Sequence, residues 1–381
     1  MENLKPERLR KLRTWSRGYH PNELIALNKS SSDNAFLDLC SNDYLDLSKH
    51  PSVIKAAKEI IESDGVGAGS SRLITGTRPI HDELETSLAR WLGVESVLLF
   101  PSGFQANLAA VTALCNTKTT IFADRLVHNS LLTGIKLSGS RFMRFKHNDL
   151  NDLEKKLSKN KSNQKNNTPL IITEGLFSME GTSPQIKELL ELSNKFDGKI
   201  LFDEAHSLGI LGLEGRGLSY GLRDNIDIIS GTFGKAFGSG GAFLGSSKVI
   251  REHLIQYSDP FRYTTALAPP LCAASLASLK LIKNNPDWSK SLLNNADLWR
   301  TKIESCGWTR PLGNGHILSL VVGRDEESLR FQRGLEEQGL LSVAIRPPTV
   351  PEGTSRLRIS VRRNLPKDSI ERFISAIFNL Q

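Results

Sequence analysis

The sequence predicts an α/β protein, with a mostly parallel sheet in one large domain and a smaller α+β domain. Three observations predict it. Between residues 97 and 244, short apolar runs alternate with helical segments, the pattern of a parallel sheet covered on both faces. Ser102, Asp124, Ser178, Asp203, His206 and Thr232 each fall just past the C-terminal end of such a run, where open α/β sheets bind ligands. After about Tyr257 the alternation stops, and two helices lead into a compact α+β stretch.

The elements follow in order. Glu7–Trp15 has helical spacing, Phe36–Leu39 reads as a short strand, and Ser52–Ser63 as a helix. The stretch 65–72 holds too much glycine for a regular element. It follows an amphipathic helix rather than a buried strand, which rules out a dinucleotide fingerprint. Pro79–Leu92 places Leu84, Leu88, Trp91 and Leu92 on one face and stops at Gly93. Strands are expected at Val97–Phe100, Thr120–Ala123, Leu170–Thr173, Lys199–Phe202 and Asp227–Ile229, with Ala242–Leu244 returning antiparallel. Helices open at Pro101–Phe104 and at His128–Ser130. Further on, Leu267–Ile282 and Trp288–Ser305 read as helices, and Ile317–Val322 and Arg356–Val361 as strands. Arg346–Pro351 is a proline-stiffened loop. The expected organisation is a segment 1–50 packing with the small domain, a large domain 51–274 and a small domain 275–381.

Composition narrows the classes. The chain has 381 residues, 39% hydrophobic and 24% charged, an ordinary globular balance. No apolar run is long enough to span a membrane, and the polar start Met1–Pro6 lacks the apolar core of a secretory signal. Cys40, Cys115, Cys272 and Cys306 show no metal-ligand or disulfide spacing, so no metal and a reducing cytoplasm are expected. The net charge of +8 suits a polyanionic substrate such as coenzyme A or an acidic carrier protein. No basic helix with interleaved aromatics points to nucleic acid. The tract Ser158–Asn167 carries three lysines without aromatics and reads as a solvated loop.

The chemistry gathers around Lys235, in the run Ser-Gly-Thr-Phe-Gly-Lys-Ala-Phe-Gly-Ser-Gly-Gly from Ser230 to Gly241. By itself this run also fits a turn with a solvated lysine. Asp203, about one strand–connection–strand unit upstream, gives it a partner. A lysine amine and a strand-end carboxylate are what pyridoxal phosphate (PLP) requires, one for its aldehyde and one for its ring nitrogen. The helix starting at Gly103 suits a phosphate, with hydroxyls from Ser102 and Thr232. His128 can stack on a ring and His206 can donate to a ring oxygen, while Glu204 should face the other way by strand alternation.

Asp203-Glu204-Ala205-His206-Ser207-Leu208-Gly209 and Thr232-Phe233-Gly234-Lys235-Ala236-Phe237-Gly238 resemble signatures of the α-oxoamine synthases, PLP-dependent transferases of fold type I. Ser41–Leu45, Gly67–Arg72, Thr173–Met179 and Gly212–Gly217 agree with that family in order and spacing. The resemblance implies that Lys235 carries the cofactor as a Schiff base and then acts as the base at the substrate α-carbon. Asp203 pairs with the ring nitrogen, His128 stacks, and His206 contacts the ring oxygen. Gly103, Phe104, Ser178 and Thr232 serve the cofactor, and so does Thr264 or Thr265 from a second subunit, which implies a homodimer with a shared site. Asn42, Thr349 and Arg358 bind substrate. The segment Ala344–Arg358 is most similar to the biotin-pathway member, which joins L-alanine to a pimeloyl thioester (CoA- or carrier-linked) and releases carbon dioxide. Alternatives are sister enzymes such as glycine C-acetyltransferase and, beyond them, an aminotransferase of the same fold. The N-terminal arginines Arg10, Arg13 and Arg17 are candidates for the acyl carboxylate. Asp46 departs from the family pattern by replacing a glycine, which puts a glycine-dependent turn in doubt.

Overall fold

A computed structural model describes residues 5–20, 22–27, 35–163 and 168–380. Two compact units emerge, one from 47–177 with 183–289, the other from the chain up to Asp46 with 178–182 and 290 onward.

The larger unit is built on a seven-stranded sheet. Its strands are β1 (Ser96–Phe100), β2 (Thr120–Asp124), β3 (Arg141–Phe145), β4 (Leu170–Glu174), β5 (Lys199–Asp203), β6 (Ile228–Thr232) and β7 (Ala242–Ser246), in spatial order β1-β7-β6-β5-β4-β2-β3. All pairings are parallel except those of β7, which runs antiparallel to β1 and β6, as expected of the Ala242 return. The inner strands are apolar on both faces because both faces are covered. Alternation sorts their side chains: Ile121, Ala123, Ile172, Leu201 and Ile228 enter one core, while Phe122, Ile171, Ile200, Phe202 and Ile229 enter the other. Register then decides where the polar residues go. Glu174 lies opposite Asp203, and Asp203 opposite Ser230, so the acids that end β4 and β5 stand side by side at one edge of the sheet.

The smaller unit holds a three-stranded antiparallel sheet, in order Ile317–Gly323, Ser355–Ser360 and Val343–Ile345. A second sheet joins Trp15–Arg17, Glu23–Ala26, Ala35–Asp38 and Leu340–Leu341. The helix Ser369–Phe378 buries Phe373 against Trp299, ring centroids 5.4 Å apart.

Two expectations need correction, and one strand was missed. Glu7–Trp15 is not a helix: a short 3-10 turn covers Pro6–Arg8, and Trp15 begins a strand. Tertiary contacts override the helical spacing, because Arg8 pairs with Asp325 and Glu352, and Arg13 with Glu336. Ser158–Asn163 is the end of the helix Leu150–Asn163, anchored by buried Leu153 and Leu157, so its lysines line a solvated helix face; 164–167 lie outside the described residues. The edge strand β3 was not anticipated, and its arginines suit an edge that must resist pairing.

Asp46 resolves the doubt about its turn. Its φ of 55° is left-handed, so the turn survives without glycine. The carboxylate accepts from Arg362 Nη1 at 2.9 Å and from the Asn364 amide at 3.0 Å, and Arg362 is fully buried. The strain of a non-glycine residue, about 1–2 kcal/mol, is offset by a partner for an interior guanidinium. Asp46→Gly relieves that strain but leaves Arg362 with the Asp38 side of its contacts alone. Removing one member of a buried pair costs about 3–5 kcal/mol, so the variant should unfold at lower urea concentration. Equal or greater stability of the glycine variant would show that the pair contributes nothing.

Candidate active site

The strand-end acid Asp203 is 5% exposed and hydrogen-bonded through both oxygens. Its Oδ1 accepts from the Ala205 amide at 2.9 Å and its Oδ2 from Asn107 Nδ2 at 2.7 Å. Glu204 faces away, as strand alternation requires. Its carboxylate accepts from the Ser219 amide (2.8 Å), the Leu218 amide (3.1 Å) and the hydroxyls of Ser207 and Ser219, which ties down the 212–221 loop. Adjacent acids therefore divide the work: one holds a loop and the other faces the site.

Lys235 lies in a closed loop after β6. The Phe233 amide donates to the Gly241 carbonyl, the Ser239 amide to Phe233, and the Gly238 amide to the Lys235 carbonyl. Phe233 and Phe237, both fully buried, flank the lysine and pack ring on ring with centroids 5.5 Å apart. Apolar anchors on either side hold the backbone, and the lysine between them is half-buried. Gly238 takes φ 60°, and a Cβ there would fall 2.3 Å from the Ser48 backbone nitrogen.

The helix α1 (Gly103–Leu114) points its N-terminus at the same edge. Ser102 caps it by accepting from the Gln105 amide at 3.3 Å, leaving the amides of Gly103 and Phe104 as first-turn donors. Thr232, the last residue of β6, stands beside that start: a Cβ on Gly103 would lie 3.7 Å from its own. Its hydroxyl donates to Gly241 and accepts from the Gly234 amide, joining the helix start to the lysine loop.

His128 precedes α2 (Asn129–Ser138) and caps it. Its backbone amide donates to Glu174, and its Nδ1 meets Ser130 Oγ at 2.7 Å. Burial of the ring lowers its pKa from the usual histidine value; Asp203 opposes that shift and Lys235 adds to it. The field of both groups thus reaches the imidazole. His206 is buried three residues beyond Asp203.

In the smaller unit Arg358 is 4% exposed. Its Nε donates to the Ser178 carbonyl (2.7 Å), Nη1 to Ser360 Oγ (3.1 Å), and Nη2 to Asn42 Oδ1 (3.0 Å) and the Tyr44 hydroxyl (3.3 Å). Every partner is neutral, and among the described residues no carboxylate pairs with this cation. Asn42, Ser178 and Arg358 therefore come together. Thr349 instead lies on the exposed loop and accepts from Arg10 at 2.9 Å. Arg13 pairs with Glu336 and stacks on Trp15. In the larger unit, Thr265 is exposed and bridges to Ser71.

The model of the class I and II aminotransferases matches residues 34–377. The 8-amino-7-oxononanoate synthase of Nitrosomonas eutropha is 41% identical over 350 residues, covering 91% of this chain and 89% of its own. The chain belongs to the α-oxoamine synthases of this aminotransferase family. Two solved members share its shape. A serine palmitoyltransferase with PLP is 27% identical, with TM-score 0.91 over 97% of this chain and 92% of its own. The 8-amino-7-oxononanoate synthase of Francisella tularensis is 29% identical, with TM-score 0.79 over 91% and 98%.

As an α-oxoamine synthase, the chain presents an amine, a buried carboxylate and a positive helix end at one sheet edge. Such a set can take an aldehyde, a protonated ring nitrogen and a phosphate. Asn107 contacts Asp203, Ser130 and Glu174 contact His128, and in the smaller unit Tyr44 contacts Arg358; none of the four was singled out from the sequence. Asn107 did leave a signal: it is the one buried polar residue in the otherwise apolar inner face of α1.

Gly238→Ala should disturb this arrangement. The left-handed φ and the contact with Ser48 backbone cannot be relieved by a side-chain movement. The expected loss is about 1–3 kcal/mol, read as a lower melting temperature, together with weaker PLP binding. A variant that melts and binds like the parent would refute the steric account.

Proposed function

We propose that this chain is a PLP-dependent acyltransferase that condenses L-alanine with a pimeloyl thioester, giving 8-amino-7-oxononanoate, carbon dioxide and free thiol in biotin synthesis. The observation that carries the reading is that the loop lysine Lys235 and the buried acid Asp203 both act on the ring of His128 at the C-terminal edge of one sheet, in a chain of this family.

The donor set fits the cofactor. Asp203 keeps an acceptor lone pair beyond its two hydrogen bonds, suited to a protonated ring nitrogen in a low-dielectric site. Lys235 would hold the aldehyde, and the amides of Gly103 and Phe104 with the Thr232 hydroxyl would hold the phosphate. His128 would cover the ring, His206 would meet its oxygen, and Ser178 would also line the cofactor. Bound there, PLP supplies an acceptor for the electrons released when a bond at the amino acid α-carbon breaks.

The chain's own residues supply the rest. Lys235, once its amine is free, takes the α-proton of alanine and returns a proton after carbon dioxide has left. Asp203 would keep the cofactor's ring nitrogen protonated. Arg358, buried among neutral oxygens, offers a fixed cation to the substrate carboxylate, with Asn42 and Thr349 as further substrate contacts. The excess positive charge draws in a polyanionic acyl donor, whether CoA-linked or on a carrier protein. A homodimer in which Thr265 of the second copy reaches the phosphate, and a cytoplasmic setting, complete the proposal. No helix among the described residues is long and apolar enough to cross a membrane.

Added PLP should give the wild-type chain a visible absorption band that Lys235→Ala lacks. Thiol and carbon dioxide should then appear fastest with alanine and pimeloyl-CoA, and negligibly in the variant. Faster turnover with glycine and acetyl-CoA would assign the chain to a sister reaction, and amino transfer without carbon dioxide would make it an aminotransferase. The KM for pimeloyl-CoA should rise with salt if charge steers the donor.

A further inference from the structure

Behind the lysine and the acid, three buried side chains form a continuous hydrogen-bonded row. Asn107 (4% exposed) comes from α1, Ser130 (fully buried) from the first turn of α2, and Asp203 (5% exposed) from the end of β5. Counting hydrogens decides their direction. The Asp203 carboxylate only accepts, so the Asn107 atom 2.7 Å from its Oδ2 is the amide nitrogen. That nitrogen has a second hydrogen, and Ser130 Oγ lies 3.0 Å away to accept it. Ser130 then has its own single hydrogen left, and His128 Nδ1 is 2.7 Å from its oxygen. The Ser130 backbone amide also donates to Nδ1, at 3.3 Å. With two donors aimed at it, Nδ1 must present a lone pair, and the proton of the neutral ring belongs on Nε2.

We propose that Asn107 and Ser130 are positioning residues that link Asp203 to His128, fixing the rotamer of the acid and holding the imidazole neutral with its proton on Nε2. Protonating Nδ1 turns an acceptor into a donor. It leaves the Ser130 amide without its acceptor and forces the buried hydroxyl to find a new one. The charged groups facing the ring are Asp203 from β5 and Lys235 from the loop after β6, and Glu174 on β4 accepts the His128 backbone amide. Asp203 favours a cation there and Lys235 opposes it; burial sides with Lys235 and lowers the pKa.

The consequence for catalysis rests on the PLP reading above. A neutral ring over the cofactor does not compete with the ring nitrogen for the charge of Asp203. Asn107, by holding Oδ2, aims that carboxylate at a single position. The proton arrangement itself needs no cofactor.

Nitrogen NMR of the full-length chain, labelled with 15N-histidine and free of PLP, tests it. The His128 signals are identified by their absence in His128→Gln. In the wild type, His128 should show the Nε2–H tautomer and a titration midpoint below that of exposed histidine, roughly 6.5. Ser130→Ala should raise the midpoint by about one pH unit, tenfold in proton affinity, and mix the tautomers. Ser130→Thr, which keeps the hydroxyl, should restore both. Asn107→Leu should mix the tautomers as well and, in the PLP-loaded protein, move the pH profile of kcat while the KM for alanine changes little. A wild-type Nδ1–H tautomer overturns the proposal, even if every variant fails to fold. So does a folded Ser130→Ala variant with an unchanged midpoint and tautomer. If the histidine behaves as stated but added PLP gives no visible band, the linkage stands and the cofactor reading falls.

Discussion

A carboxylate taken out of water must be given hydrogen bonds or a charge, and Asp203 is the place where this protein meets that demand. Two donors from its own chain hold it, the Ala205 amide and the Asn107 side chain, and neither is a cation. Both of these hydrogen bonds therefore come from neutral donors. Much of the larger unit follows from supporting that one group. Strand register brings Glu174 and Ser230 alongside it, α1 delivers Asn107, and Ser130 carries the row on to His128.

The lysine is supported by a different kind of physics. Its loop is closed by backbone hydrogen bonds, and two buried phenylalanines flank the lysine as anchors. Glycine is required where the loop meets the Ser48 backbone, because any Cβ there collides. A backbone fixed in this way is a suitable support for the amine to which the proposal gives the cofactor aldehyde.

Two of the smaller unit's buried arginines have opposite surroundings. Arg362 faces Asp46 and Asp38, so its charge is spent internally. Arg358 faces only neutral oxygens from Asn42, Tyr44, Ser178 and Ser360. Interior cations are costly unless matched. The first is matched by the fold and holds a left-handed turn together. The second has no carboxylate partner among the described residues, and the proposal gives it the substrate carboxylate. Arginine suits both positions because its planar fork can satisfy several oxygens at once.

The alternation of apolar runs, the strand-end polar residues and the choice of Lys235 and Asp203 as candidates were all readable from the sequence, because they rest on local periodicity and on which residue types a chemistry needs. The opposite facing of Glu204 was readable for the same reason, since side chains on a strand alternate. Other features lay beyond it. The helical spacing of Glu7–Trp15 lost to ion pairs with residues more than three hundred positions away, and the lysine tract at Ser158 continued a helix because Leu153 and Leu157 found a core. Asn107 and Ser130 are ordinary helix residues until α1 and α2 are packed side by side. Sequence alone determined which groups could do chemistry. Tertiary structure decided which of them share a hydrogen bond and where each proton sits, because those depend on tenths of an ångström between elements far apart in the chain.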